Sequence, residues 1–419
     1  MVNKIKENIN QPEILEKLFR ENRKVFESDF NIIYPEIKNT ELAKFWKTRI
    51  DYDIPEIKVF NLYKTDVIVM ILACLISGFL IKIPAIFNLD LDNFFFYEKN
   101  AVLIAFLGLT IYSLLINRSF LKQKIIFSSL AFSILAIYVN LLPSVRESNS
   151  INLVYIHLPL LVWCIYGLVF IDLDFRDYSK RIEYIRHNGD LAVLGAIIAI
   201  AGMILSGVTI GLFSAIEIDI SEFYMENFGI IGIVSAPIVT TFIIKNYPTF
   251  TNKIAPIIAN IFSPIVLLTL VVYLITIPIS GKDPYNDRDF LLIFNLMLLG
   301  VMAIIVFSIS EFSEDKKQKF NEMILLLLTL VTLLIDLVAL SAIFYRLNEY
   351  GITPNRLAVL GSNILIFGNL ILIMIDLFKV NFRKLNIVKV ELTIARYIPV
   401  YIAWILIVVF TFPILFNMQ

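Results

Sequence analysis

Beyond Lys64 the chain settles into long apolar runs separated by short charged breaks, and within each run apolar residues are continuous rather than alternating. A membrane helix needs about 20 mostly apolar residues to cross the hydrocarbon. Runs of about that length fall at 66–87, 99–117, 124–142, 152–171, 190–215, 227–244, 255–279, 289–310, 322–344, 355–378 and 395–416. The second is the shortest. Continuous runs exclude a transmembrane β-barrel, whose strands alternate. Backbone groups in lipid must bond within their own segment, so each run is expected to be a helix. The expected fold is all-α: a polytopic transmembrane bundle of about eleven spans over 65–419, preceded by a small amphipathic helical region over 1–64.

Residues 1–64 carry 12 Lys+Arg and 11 Asp+Glu. Pro12 suits the first position of a helix starting near Asn10. Ile14, Leu15, Leu18, Phe19, Val25 and Phe26 form its apolar stripe. Tyr34-Pro35 is expected as a turn, and Asn39-Thr40 as the cap of a second helix through Phe45, Trp46 and Ile50. Two readings stand for this tail: a docking or regulatory region that binds a soluble partner, or a helical hairpin packed on the inner loops. About 60 residues make a marginal core, and the mixed charges argue against a basic surface helix.

Composition agrees with the pattern. Apolar residues make up 58% of the 419 and charged residues 17%, and the mean hydropathy is +0.79. That excludes a water-soluble globule, disorder, collagen and a coiled coil. Basic and acidic residues balance at 36 each, so no nucleic-acid footprint exists. With the tail placed inside, the inside connections hold 17 Lys+Arg and the outside ones six. This asymmetry predicts a cytoplasmic N-terminus and an outside C-terminus. The first run starts too late and is too long for a cleaved signal. Cys74 and Cys164 both fall in runs, so they read as small apolar residues, with no disulfide framework and no metal motif. Richness in Ile, Lys, Asn and Phe points to an AT-rich bacterium, and hence to a bacterial cytoplasmic membrane.

Ionisable and amide groups inside the runs are the candidate chemistry, because such groups are costly in lipid. Lys82, His157, Asn295, Asp336 and Asn363 are placed in the outer half of the bilayer, with Asn369 nearer the middle. One reading makes them the lining of an outward-facing polar cavity, with Asp336 and Lys82 as a charge pair and His157 taking protons near neutral pH. The other treats each alone: Lys82 snorkels, and the amides and His157 bond neighbouring helices. Asp336, flanked by Leu333-Leu334-Ile335 and Leu337-Val338, fits the second reading least well. Asp287, Arg288, Arg346, Glu349 and Arg356 form a candidate outer-loop network, in which Arg346 pairs with Glu349 and Arg356 meets Asp287. Gly351 suits the stop of one helix, and Thr353-Pro354 the start of the next. Gly207 and Gly211 form a GxxxG expected to pack helices closely. Pro237, Pro248, Pro256 and Pro264 are candidates for broken or kinked helices.

The stretch Arg346-Leu-Asn-Glu-Tyr-Gly-Ile-Thr-Pro-Asn-Arg356 resembles the "RI..YG.T..R" signature of a bacterial multi-pass membrane family, domain of unknown function 4153. GKDPYNDRDFLLIFN and the FSISE ending at Glu311 are similar to its Bacteroidetes-type members. The resemblance spans about residues 60–416. It implies an integral membrane protein and brings no catalytic, cofactor or ligand residue.

GxSxG, HExxH, Walker A and GxGxxG are absent, so no catalytic residue, metal or cofactor is assigned. The expected function is a solute or ion permease with membrane lipid as its surroundings. The alternatives are a scaffold or signalling component using residues 1–64, and a lipid-linked transferase using Asp90 and Asp92. Oligomeric state is left open.

Overall fold

The computed structural model describes residues 2–21, 23–38, 40–53, 64–88, 94–117, 121–276, 279, 285, 288–311 and 319–418. They divide into two compact units, Met1–Lys64 and Thr65–Gln419. No strand occurs among the described residues.

The first unit holds α1 (Val2–Glu7), α2 (Pro12–Glu21), α3 (Arg23–Ile37) and α4 (Glu41–Asp53). Pro12 opens α2, and Thr40 Oγ1 caps α4 by accepting from the Ala43 amide at 3.3 Å. Leu15, Leu18, Phe19, Phe26, Phe30, Ile33 and Ile37 supply one buried face, closed by Ala43, Trp46 and Ile50. Ile14 and Val25 fall outside that core. Trp46 is its centre, with ring centroids 5.4 Å from Phe19 and 5.1 Å from Phe26. Arg49 stacks on Trp46 at 4.8 Å and pairs with Glu16 at 2.7 Å. Two sequence expectations need correction. Ile5 of α1 joins the core, although its short segment carries no periodic stripe. Tyr34-Pro35 is not a turn but lies inside α3. Only Glu36 and Ile37 follow the proline in the helix, so its missing N–H costs one hydrogen bond near the end. Burial of Phe30, Ile33 and Ile37 on one face outweighs that.

Among the described residues every apolar run is built mainly of helix. The second unit comprises α5 (Lys64–Ile81), α6 (Ile83–Phe87), α7 (Phe96–Ile116), α8 (Leu121–Leu141), α9 (Asn149–Phe170), α10 (Tyr178–Ser214), α11 (Ser221–Asn246), α12 (Pro248–Thr276), α13 (Arg288–Ser310), α14 (Lys319–Tyr350), α15 (Pro354–Arg383) and α16 (Val388–Leu415). Among the described residues nine of these are long and apolar enough to cross a membrane, and Thr65–Ile81 and Ile261–Thr276 are shorter apolar helices. The chain is therefore a multi-pass helical membrane protein. Its outward side chains fit lipid: Leu75, Ile137, Met203, Leu212, Ile233, Leu268 and Leu296 are all at least 60% exposed.

The run 66–87 is not one helix. Pro84 cannot donate to the carbonyl four residues earlier and its ring crowds that position, so the helix breaks at Lys82 and restarts as α6. The run 190–215 starts early instead. Asp177 accepts hydrogen bonds from the Ser179 and Lys180 amides at 2.9 and 3.3 Å, which caps α10 twelve residues before the apolar run begins. The α14–α15 turn follows the expected pattern, with Gly351 at φ 76° and Thr353 Oγ1 accepting from the Arg356 amide at 3.3 Å. Helices α11 and α12 continue through Pro237, Pro256 and Pro264 rather than ending there. The GxxxG expectation also needs correction. A side chain at Gly207 or Gly211 would meet nothing within 4 Å, so this face of α10 packs against no part of the described chain.

One apolar core joins α10 and α12 to α16, and a second joins α7, α8, α9 and α16. Lys124 and Lys180 share Asp172, and Lys180 and Lys245 line one cavity, which marks a common end of these helices, here termed the basic end.

Trp46→Ala removes the largest side chain of the first unit's core, at a cost of about 3–5 kcal/mol. Limited proteolysis of the full chain should then cut within residues 2–53 while leaving the helices of the second unit intact. Cleavage there at the wild-type rate would show that Trp46 does not hold the unit together.

Candidate functional site

The polar residues expected to line one outer cavity are held apart. Lys82 Nζ donates to the Glu226 carbonyl at 3.0 Å, across to the start of α11. His157 sits 2.8 Å, through Nδ1, from the Leu153 carbonyl of its own helix. Asn363 Nδ2 donates to Asn295 Oδ1 at 2.9 Å, joining α15 to α13. The charge pair of Asp336 with Lys82 does not form, since neither oxygen of Asp336 has a hydrogen-bond partner.

The outer-loop network is likewise not formed as expected. Arg356 donates to the Tyr350 and Gly351 carbonyls at 2.7 and 2.8 Å, and its guanidinium lies 5.5 Å from the Tyr350 ring centroid. It closes the end of α14, where helix carbonyls lack intrahelical donors. Arg346 makes no ion pair with Glu349 among the described residues, and its Nη1 is buried without a partner. Asp287 and the side chain of Arg288 lie outside the described residues, as do Asp90 and Asp92.

What the structure does assemble is a polar point near the middle of the bundle. Helix α14 extends beyond its apolar run to Tyr350, so Asp336 lies about 21 Å from that end at 1.5 Å per residue. Asn369 lies about 22 Å into the antiparallel α15 by the same rise. Asp336 is fully buried. Asn369 Nδ2 donates to Tyr401 Oη at 3.0 Å, and its Oδ1 is buried without a partner. Asp336, Asn369 and Tyr401 stand on α14, α15 and α16, three helices that share one apolar core. The Tyr397 and Tyr401 rings meet edge to face at 5.2 Å.

Asn369 and Tyr401 form part of the wall of a cavity of about 560 Å³ between α9, α10, α13 and α16. Its other polar positions are Asn188 and Trp163. Trp163 Nε1 donates to Asn188 Oδ1 at 2.8 Å, and Asn188 Nδ2 donates to the Tyr184 carbonyl. The remaining lining is apolar, including Leu160, Val193, Leu299, Met302 and Ile398. Gly189 lets α10 approach α13 here, because a Cβ would fall 1.9 Å from the Phe307 ring. Lining residues Ile185–Val193, Leu299–Phe307 and Ile394–Tyr401 all belong to the basic-end halves of their helices. The cavity therefore lies between the middle of the bundle and its basic end. Sequence reading missed Trp163, Asn188 and Tyr401 because tyrosine and tryptophan count as apolar in a hydropathy scan, and Asn188 precedes the run. The usable signal was the tyrosine pair at 397 and 401, one helical turn apart inside an apolar run.

A second polar cluster closes the basic end. Arg186 Nε donates to the Ser310 carbonyl at 2.7 Å, and lies 3.8 Å from Glu311 Oε1. Burial, reinforced by nearby Asp190 and opposed by Arg186, pushes the Glu311 carboxyl up to about 7 from its ordinary 4.5. No group of three or more His, Cys, Asp or Glu among the described residues could hold a metal ion.

No protein-family model, no curated protein and no solved structure matches the chain.

Glu311 gives the fold a pH dependence whose sign follows from its position. Between about 4.5 and 7 the folded protein holds a proton that the unfolded chain has released. This stabilisation is complete below about 4.5 and is lost as pH rises through about 7, up to about 3 kcal/mol in all. Thermal unfolding followed from pH 5 to 8 should show Tm falling in the wild type, and a flatter profile in Glu311→Gln. Parallel profiles would remove Glu311 as the cause.

Proposed function

We propose that this chain is a solute permease of a bacterial cytoplasmic membrane, with its basic end and N-terminus in the cytosol. Its working centre is the Asp336–Asn369–Tyr401 point beside the mid-membrane cavity. The single observation that carries the reading is the fully buried carboxyl of Asp336, which has no hydrogen-bond partner at either oxygen. A lone ionised carboxylate in hydrocarbon costs several kcal/mol. Such a group has to be met by a proton or a cation, and a site that takes up and releases one is what a coupled carrier needs. The adjoining cavity supplies a place for the solute. Its volume falls in the range of small-molecule sites, and its mostly apolar wall with a few amides and hydroxyls suits an amphipathic solute.

The likeness of Arg346–Arg356 to domain of unknown function 4153 is compatible with this reading and adds no chemistry. A second reading, a membrane scaffold binding a soluble partner through residues 1–64, is favoured by the exposed Ile32 and Phe45 of that unit.

The test is uptake of amphipathic dyes, ethidium and rhodamine 6G, into proteoliposomes under an imposed pH gradient. Wild-type protein should exceed empty liposomes several-fold. Asp336→Asn should return uptake to the empty-liposome level while Tm is retained, and Tyr401→Phe should fall between the two. Dye uptake no greater than that of empty liposomes, or an Asp336→Asn variant as active as wild type, would refute the permease reading.

A further inference from the structure

A separate cavity of about 580 Å³ lies at the basic end, between the ends of α7, α9 and α11 and the start of α10. It shares no lining residue with the mid-membrane cavity. Its floor is unusual. Tyr112, 1% exposed, and Thr241, 8% exposed, both line it, and neither hydroxyl has a hydrogen-bond partner. His187 lines it too, with Nε2 buried and unpartnered, and the ring held flat against Phe170 at 5.0 Å between centroids. The Tyr166 hydroxyl lies on the same wall beside Ser113. Three helices thus each bring to the wall of one space a residue that carries a buried, unpartnered polar atom. Leaving such atoms unmet is costly, whereas a bound group that meets them recovers the hydrogen bonds.

The charges around this cavity are already engaged with one another. Lys124 Nζ lies 2.8 Å from Asp172, Lys180 Nζ 3.6 Å from Asp172, and Lys245 Nζ 2.9 Å from Asp66. Among the lining residues Lys180 and Lys245 are balanced by Asp172 and Glu183. The site therefore calls for no net charge. Hydroxyls and a neutral imidazole edge each donate or accept, and the matching ligand carries several groups that do the same. Hydroxyls are such groups, and the aromatic side chains of Tyr112, Tyr166 and Phe170 give its apolar face something to rest on.

We infer that the basic-end cavity binds an uncharged, polyhydroxylated ligand of sugar or cyclitol type, through Tyr112, Thr241 and His187. The same chemistry is offered by a free polyol and by the headgroup of a glycolipid.

The experiment uses the full chain in an amine-oxide detergent, which carries no sugar of its own. Thermal unfolding is followed with glucose, myo-inositol or glycerol at millimolar concentration, and separately in nanodiscs with and without glucosyl diacylglycerol. At least one probe should raise Tm by about 3 °C or more. A response to the free probes marks a soluble ligand, and a response confined to the glycolipid nanodiscs marks a headgroup; either supports the site. The shift should vanish in Tyr112→Phe/Thr241→Val and persist in Asp336→Asn, so the result stands apart from the permease reading. Without ligand, Tyr112→Phe alone should unfold at or above the wild-type temperature, because it deletes an unmet hydroxyl. The site is refuted by no shift with any probe, by a shift that survives the double substitution, or by larger shifts with phosphate or glutamate. It is equally refuted if Tyr112→Phe alone lowers Tm by more than about 3 °C, since the hydroxyl would then already be bonded in the free protein.

Discussion

A polar atom surrounded by hydrocarbon must find its hydrogen-bond partner within the protein, and most of this structure follows from that constraint. For the backbone the solution is the helix. For small hydroxyls it is the carbonyl one turn earlier: Thr110, Thr240, Thr329 and Thr332 each bond four residues back at 2.7 Å. His157 uses the same route. Larger groups reach across to a neighbour, as Asn363 does to Asn295 and Ser263 to Ser308 at 2.8 Å. Each cross-helix bond fixes the rotation of two helices whose apolar surfaces would otherwise slide with little penalty, since lipid is as apolar as leucine.

How much of this was legible in the sequence depends on whether the signal was local. The apolar runs declare the helices, because length and continuity are properties of one segment. Caps are local too: Gly351 ends one helix and Thr353 starts the next, as their residue types dictate. Asp177 carries an equally local signal, but lies outside the run that directed attention to α10. Lys82 was open to two readings, a cavity charge or a snorkelling side chain, and neither took account of Pro84 two residues on, which breaks the helix where Lys82 bonds the Glu226 carbonyl. In the N-terminal unit Pro35 shows the reverse error, a turn residue overruled by the burial of Phe30, Ile33 and Ile37.

The candidate site was only half legible, for a physical reason. Asp336 announces itself, because a carboxylate among leucines has no local explanation. Its neighbours do not. Tyr401 and Trp163 are amphipathic, and whether their polar ends matter depends on which helix faces them.

Asp336 and Asp376 show why the unmet groups carry more weight than polarity itself. Both are buried. Asp376 accepts from Thr393 Oγ1 at 2.7 Å and has Lys379 and Lys389 at 3.5 and 4.0 Å, so its charge is answered where it stands, near the basic end of α15. The same fold that supplies three partners to one carboxylate supplies no hydrogen bond to the other. A purely structural role would be filled as well by asparagine or leucine at position 336, with less to desolvate. Unmet groups occur in both halves of the bundle: Asp336, Asn369, Tyr112, Thr241 and His187 from its middle to its basic end, and Tyr155 and Arg346 toward the other end. Position along the bundle therefore does not separate them; what sets Asp336 apart is that both oxygens of one carboxyl are unmet.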